Sequence, residues 1–188
     1  MGIRRTTGLQ ARTPLKAKTP LRAKNDKRKW IPLHKKTAAQ LVKVADQYFS
    51  KYVRMRDSKF LEEFDGWYGT CITCSKAGLV VRLDETEKLR FASGWDAGHF
   101  ISRAYKIIRF DEENVNLQCG MRCNRMRSGE HEKYRLALDL KYGEGTALKL
   151  EQCVKEYPVH SLKKDELLQI IEDSRKQLKF MIDNRYTI

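Results

Sequence analysis

The chain has 188 residues and a formal net charge of +14, with 38 lysines and arginines against 24 aspartates and glutamates. This length fits one compact domain with a tail, and the sequence shows neither a membrane-spanning apolar run nor a signal-peptide pattern, so we expect a cytoplasmic protein without a membrane partner. The excess of basic residues favours nucleic acid as the partner, with binding that weakens as salt rises.

Most of this charge lies in the first 36 residues, which contain twelve basic residues and one acid, Asp26, for a balance of +11. A tandem repeat covers residues 13–18 and 19–24 and reads TPLKAK and TPLRAK. Its prolines block a helix, and its few leucines cannot build a core. We predict a disordered, flexible basic arm over residues 1–36 that contacts DNA or RNA, the alternative being a solubilising tail.

Residues 37–188 are predicted to form a single domain of the α+β class. Apolar residues recur at three- and four-residue steps over residues 37–64, which predicts one long helix with Thr37 as its N-cap. Asp65 and Gly66 end this helix. Aromatic and β-branched residues then predict short strands at 67–72, 79–83 and 88–92.

The C-terminal half is predicted to be mainly helical. A polar turn at residues 111–114 leads into residues 115–118, and helical spacing then runs from Cys123 through Tyr142. Shorter and longer helices follow at 148–157 and 162–182. The apolar stripe of the last helix predicts packing against the first helix or against a second subunit.

Four of the five cysteines form two close pairs, Cys71 with Cys74 and Cys119 with Cys123. Four thiolates are the ligand set of a structural Zn²⁺, because four sulfur atoms close its tetrahedron and leave no open position. A single such pair in an intracellular protein is more often buried or redox-active, but two pairs favour zinc. Cys153 lies outside both pairs and is predicted to be a free thiol.

Residues suited to phosphodiester hydrolysis lie between the cysteine pairs and directly after the second pair. A neutral imidazole can take a proton from water near pH 7, so His99 is the candidate general base. Asp96 and Asn124 offer oxygen ligands suited to Mg²⁺ or Mn²⁺. Asn114 is predicted to fix the loop that carries His99 through hydrogen bonds to the backbone.

Each of these side chains also has a structural interpretation. A histidine in a glycine-containing turn is usually structural or exposed, Asp96 could cap a turn, and Asn124 could be a helix N-cap. Taken one at a time, the structural role is the better interpretation. Their joint order within the cysteine framework favours the catalytic one.

The same order resembles the HNH nucleases, a group of His-Me finger enzymes with a ββα-metal core. More narrowly, the chain is similar to the phage NinG (Rap) recombination endonucleases. The matching segments are Trp95-Asp-Ala-Gly-His99, Arg109-Phe-Asp-Glu-Glu-Asn114, Gln118-Cys119, Cys123-Asn124, Ser128-Gly129 and Tyr134-Arg135.

This resemblance implies a zinc-stapled ββα-metal core flanked by long helices, and a Mg²⁺-dependent endonuclease of the host cytoplasm. Its substrates would be branched recombination intermediates such as D-loops and Holliday junctions. By the motif, His99 is the general base, Asn124 a metal ligand and Asn114 the loop-fixing residue. A water activated by His99 would attack the phosphodiester and leave a 5′-phosphate and a 3′-hydroxyl.

The chain departs from the family pattern in three places. Many HNH nucleases carry the metal-binding acid directly before the histidine, where this chain has Gly98, so the acid's role falls to Asp96. One extra residue separates Cys119 from Cys123, and the amino-terminal arm is unlike the family's usual start.

Further residues near the motif are candidates for supporting roles. His131 lies seven residues after Asn124, two turns along the same face if the segment is one helix, and is a candidate metal ligand or phosphate contact. Basic residues around the motif are candidate phosphate contacts. These are Arg103, Lys106, Arg109, Arg125 and Arg127.

Two other functions fit the same sequence. A zinc-dependent DNA-binding protein without catalysis would tolerate loss of His99, and a zinc-stapled protein-interaction module would bind DNA weakly once residues 1–36 are deleted. If the nuclease hypothesis holds, a homodimer is expected, because paired incision of a four-way junction requires two active sites.

Overall fold

A computed structural model describes residues 30–186 of the chain. Most of the predicted arm, residues 1–29, lies outside the described residues. The helices and strands in chain order are α1 (Ala38–Arg56), β1 (Ser58–Leu61), β2 (Gly66–Thr70), β3 (Ala77–Leu83), β4 (Leu89–Phe91), β5 (Trp95–His99), β6 (Val115–Cys119), a π-helical turn (Gly120–Met126), α2 (His131–Tyr142), α3 (Thr146–Glu156) and α4 (Lys164–Asp183). The chain is therefore α+β, as predicted.

The first helix begins where the sequence predicts and ends early. Thr37 forms a capping box, in which its hydroxyl accepts from the Gln40 amide at 3.3 Å and its own amide donates to the Gln40 side chain at 2.9 Å. The predicted continuation to residue 64 is wrong, because residues 58–61 pair with β2 as a strand. Phe60 keeps the apolar spacing of the helix, yet it packs edge-on against Trp67 with ring centroids 4.8 Å apart.

The strands form two antiparallel sheets. One sheet has the order β1-β2-β3-β4, and the other is the hairpin β5-β6. His99 lies at the end of β5 and pairs with Val115, so the segment predicted to be a loop is a strand up to His99 itself. Main-chain hydrogen bonds across the hairpin make this segment a strand. A periodicity of only five residues in the sequence does not reveal such pairing.

The predicted continuous helix from Cys123 to Tyr142 is also wrong. The chain forms a π-helical turn over Gly120–Met126, and α2 begins only at His131. Between them Ser128, Gly129 and Glu130 have φ values of 49°, 87° and 53°, in the left-handed region that interrupts a right-handed helix.

The last helix packs on the first. Leu41 and Ala45 of α1 and Leu167 and Ile171 of α4 form one buried cluster, which confirms the predicted contact between these helices. A second cluster lies where α1 meets both sheets, and a third joins α2 and α3 to the segment after β5. Together these clusters hold the β5-β6 hairpin between α1 on one side and α2 with α3 on the other.

A single compact unit begins at Pro32, and every element named above lies in it. The described end of the predicted arm includes a short 3-10 turn at Leu33–Lys35. Within residues 30–186, every helix is too short or too polar to traverse a lipid bilayer.

Candidate functional site

The four paired cysteines converge in space. Their sulfur atoms all lie within 4.8 Å of one another, and Sγ of Cys74 is 3.7 Å from Sγ of Cys119. Four sulfurs about 2.3 Å from a tetrahedral zinc are about 3.8 Å apart, so the set fits such a metal. The extra residue of the second pair is accommodated because Cys123 sits inside the π-helical turn that follows Cys119.

Three of these thiols differ in how easily they ionise. Burial raises the pKa of Cys123 to about 12 and raises that of Cys119 as well. Burial also acts to raise the pKa of Cys71, but hydrogen bonds, first from Thr73, outweigh it and bring the value to about 7. Holding all four sulfurs as thiolates therefore requires a cation such as Zn²⁺ among them.

The candidate catalytic residues line a single cavity of about 530 Å³ between α1 and the β5-β6 hairpin. His99, Asp96 and Asn124 all reach it, although strand alternation puts Asp96 and His99 on opposite faces of β5. The lining residues are Asp46, Phe49, Ser50, Asp96, Ala97, His99, Ser102, Arg103, Arg109, Val115, Asn124 and Arg125.

His99 is held in one orientation. Its Nε2 lies 3.1 Å from the backbone carbonyl of Arg109. A carbonyl can only accept, so Nε2 carries the proton and Nδ1 is left as the basic nitrogen of the neutral ring. Burial lowers the pKa of His99 below its usual value; the hydrogen bond to Arg109 opposes this shift, and the charge of Arg103 adds to it.

Asp96 of β5 and Asn124 of the π-helical turn are in contact through their side chains. Asn124 Nδ2 donates to Asp96 Oδ2 at 3.0 Å, and rotation of the amide would present its oxygen instead. Two oxygens bound side by side to an octahedral Mg²⁺ are about 3 Å apart, so this pair fits that cation. Gly120 makes room for the carboxylate, since a Cβ there would lie 2.7 Å from Asp96 Oδ2.

The structure explains why a glycine precedes the histidine. A Cβ on Gly98 would lie 2.2 Å from Oε1 of Gln118 on the neighbouring strand, so no side chain fits at this position. The Gly98 carbonyl accepts from the hydroxyl of the buried Tyr134 at 2.7 Å. The position before His99 is thus used for packing, and the carboxylate that β5 offers to the cavity is that of Asp96.

Asn114 is fully buried and ties together the loop after His99. Its Oδ1 accepts from the Ile101 amide at 2.8 Å, and its Nδ2 donates to the carbonyls of Ile101 at 3.1 Å and Ile108 at 2.9 Å. These are the hydrogen bonds that loop fixation requires. A contribution of Asn114 to catalysis stays a prediction.

The five candidate phosphate contacts differ in exposure and in whether their side chains are already paired within the protein. Arg109 directs its guanidinium into the protein, with two nitrogens on Asp46 and the third on the Arg103 carbonyl. Arg127 pairs with Glu130 at the surface. The side chain of Arg125 is 69% exposed with Nε 3.5 Å from Asp96 Oδ2, and Arg103 and Lys106 are exposed.

His131 does not share a helix face with Asn124, because the chain between them is not helical throughout. It is the first residue of α2, and its ring stacks on Phe100 with centroids 4.4 Å apart. The cavity that holds Asp96 and Asn124 is lined without it. The premise of one shared helix is therefore wrong, and a role of His131 as metal ligand or phosphate contact stays a prediction.

Two residues at the site were missed in the sequence analysis. Asp46 of α1 faces the cavity, and Arg54 of the same helix donates to the Trp95 carbonyl at 3.4 Å. Burial lowers the pKa of Arg54, whereas the negative charge of Asp96 raises it. Both residues lie beside the apolar stripe of an amphipathic helix. Ordinary charged surface residues occupy the same positions, so the sequence pattern does not single these two out.

The family model and the curated relatives that match this chain name the same protein family. The family model "NinG: Bacteriophage Lambda NinG protein" matches residues 3–183. Protein ninG of Salmonella phage P22 is 28% identical over 161 residues, covering 85% of this chain and 66% of that protein. Protein ninG of Escherichia phage 933W is 27% identical over 160 residues, covering 81% and 68%.

Protein ninG of Escherichia phage lambda is 28% identical over 127 residues, covering 67% of this chain and 51% of that protein. The chain thus spans about two thirds of the length of the phage P22 and 933W relatives and about half of the lambda one. No solved structure gives a significant match.

Proposed function

Since the chain belongs to the bacteriophage NinG family, we propose that it is a metal-dependent DNA endonuclease of the HNH type. Its substrates are branched recombination intermediates, D-loops and Holliday junctions, in the cytoplasm of the host. The observation that carries the proposal is that His99, Asp96 and Asn124 line the same cavity. The antiparallel hairpin β5-β6 followed by the helical turn of Asn124 supports a ββα-metal core.

His99 performs the proton transfer. Its Nδ1 takes a proton from a water whose oxygen forms the new bond to phosphorus, while Nε2–H stays on the Arg109 carbonyl and steadies the imidazolium. The bond from phosphorus to the 3′ oxygen breaks, and that oxygen takes up a proton from solvent. A Mg²⁺ or Mn²⁺ held by Asp96 and Asn124 would neutralise charge on the phosphoryl and leaving oxygens.

The remaining parts of the site hold the substrate and the frame. The exposed Arg103, Lys106, Arg125 and Arg127 contact phosphates, and a zinc ion in the cysteine cluster ties Asn124 to the four-stranded sheet. Assembly as a homodimer, which paired incision of a junction requires, stays a prediction.

The test is cleavage of labelled linear, forked and four-way-junction DNA in Mg²⁺ and in EDTA. We expect the wild-type protein to cut branched DNA only with Mg²⁺, and His99→Ala to lose activity by about 100-fold or more, the typical contribution of a positioned base. His160→Ala is the matched control, because His160 lies between α3 and α4 and outside the cavity lining.

Zinc content is measured in every protein, so that a loss of fold is separated from a loss of chemistry. Tight DNA binding without cutting by the wild-type protein would contradict the proposal. That result would identify the chain as a zinc-dependent DNA-binding protein without catalysis.

A further inference from the structure

Asp46 and Arg109 form an ion pair beside the candidate base. Arg109 Nε donates to Asp46 Oδ1 at 2.9 Å, and Nη2 donates to Oδ2 at 2.6 Å. The two side chains are only 27% and 15% exposed. A two-point contact of this kind fixes direction as well as distance, because the planar guanidinium matches both carboxylate oxygens.

The third nitrogen of the same guanidinium is also engaged. Arg109 Nη1 donates to the Arg103 carbonyl at 2.6 Å, so one side chain ties α1 to both ends of the segment 103–109. The carbonyl of Arg109, on that segment, is the acceptor for His99 Nε2 at 3.1 Å. A continuous set of contacts therefore runs from the Asp46 carboxylate to the imidazole ring.

We propose that Asp46 is a positioning residue for His99 and acts through Arg109. Its carboxylate holds the guanidinium, the guanidinium holds the segment, and the segment presents the carbonyl that keeps Nε2 protonated and leaves Nδ1 as the basic nitrogen. The role of Asp46 in cleavage rests on the proposed function. Its effect on the orientation and protonation of the His99 ring is independent of that function.

Two other roles for Asp46 fit the structure less well. As a metal ligand it would hold a second cation beside the Arg109 guanidinium, whose positive charge opposes that cation. As an ion pair serving stability alone, Asp46 would leave the state of the His99 ring unchanged on removal.

The test compares Asp46→Ala and Asp46→Glu with a matched ion pair elsewhere. Glu151 pairs with Arg135 between α2 and α3, is 24% exposed and lies outside the cavity lining, so Glu151→Ala is the control. Unfolding temperature and zinc content are recorded for each variant. If Asp46→Ala does not fold, Asp46→Asn, which keeps the shape and one acceptor, replaces it.

The first readout is the His99 ring in the DNA-free protein, observed by long-range nitrogen NMR. The wild-type ring is expected to show a single protonated Nε2 whose proton exchanges slowly with water. We expect Asp46→Ala to lose this protected proton, Asp46→Glu to recover part of it and Glu151→Ala to keep it.

The second readout is cleavage of four-way-junction DNA. We expect kcat to fall about 10- to 100-fold in Asp46→Ala, a size typical of a misplaced catalytic group, with DNA affinity within about twofold of wild type. A protected Nε2 proton in Asp46→Ala would overturn the proposal, whatever the rate. If the wild-type protein does not cut DNA, the proposed function fails, and the NMR comparison still decides the role of Asp46.

Discussion

The His99 imidazole is surrounded by groups that act on its protonation in opposite directions. Burial lowers its pKa, the hydrogen bond to the Arg109 carbonyl raises it, and the guanidinium of Arg103 lowers it again. The resulting pKa lies below 6.5. A lowered pKa keeps a histidine neutral, and therefore basic, at a more acidic pH than a free histidine would be.

This shift predicts the acid limb of the pH profile. For the nuclease reaction, kcat/KM should rise with pH through a midpoint below 6.5 and then stay level through neutrality, because the limb reports the pKa of the base in the free enzyme. Arg103→Gln removes one lowering charge and should move the midpoint upward. A wild-type midpoint at or above 6.5 would contradict the assignment.

Among the elements, the C-terminal end of α1 is the main polar junction of the fold. Asp57 accepts from Arg56 at 2.9 Å, from Lys141 of α2 at 2.8 Å and from the Leu117 amide of β6 at 2.8 Å. The side chain of Asp57 is 9% exposed and that of Arg56 is 16% exposed. One carboxylate thus joins three elements and compensates two cations.

We expect Asp57→Asn to destabilise the protein by about 3 kcal/mol, because the mostly buried Arg56 loses its nearest anionic partner. Burial raises the pKa of Asp57, but Arg56 and then Lys141 lower it by more, so the net pKa lies below 3.8. The stabilisation is therefore complete above pH 3.8 and is lost as the pH falls through the lower folded value. Urea unfolding at neutral and acidic pH measures both effects.

The control for this prediction is a surface ion pair. Glu172→Gln removes the partner of Lys176, whose side chain is 66% exposed, and should cost less than about 1 kcal/mol. Equal losses for the two variants would show that Asp57 acts as one more surface charge.

For the whole molecule, the cysteine cluster connects parts that are distant in sequence. Cys71 and Cys74 follow β2 of the four-stranded sheet, whereas Cys119 ends β6 and Cys123 lies in the turn that carries Asn124. A metal held there would join the two sheets and the candidate site, and its binding energy would contribute to folding.

We expect Cys74→Ser to reduce bound zinc, to abolish cleavage and to lower the unfolding temperature by about 10 °C or more, since 1 kcal/mol is worth about 2–4 °C at this size. Cys153→Ser is the control, because Cys153 lies on α3 outside the cluster. Elemental analysis and thermal unfolding provide the measurements. A Cys74→Ser protein that keeps wild-type zinc would exclude the cluster as the zinc site.

Local patterns were sufficient to predict much of this protein. The capping signal at Thr37, the apolar stripe of α4, the spacing of the two cysteine pairs and the motif around His99 each depend on residues within a few turns or a short loop. Hydrogen bonding and burial over such short distances follow from residue type and spacing, so these features can be read from the sequence.

The tertiary structure decided the rest. Strand pairing overrode helical spacing at Phe60, and left-handed residues before α2 separated His131 from Asn124. The contact of Asp46 with Arg109 spans 63 residues, and the meeting of Asp96 with Asn124 spans 28. Contacts at these separations depend on how helices and sheets pack, and no local periodicity encodes that packing.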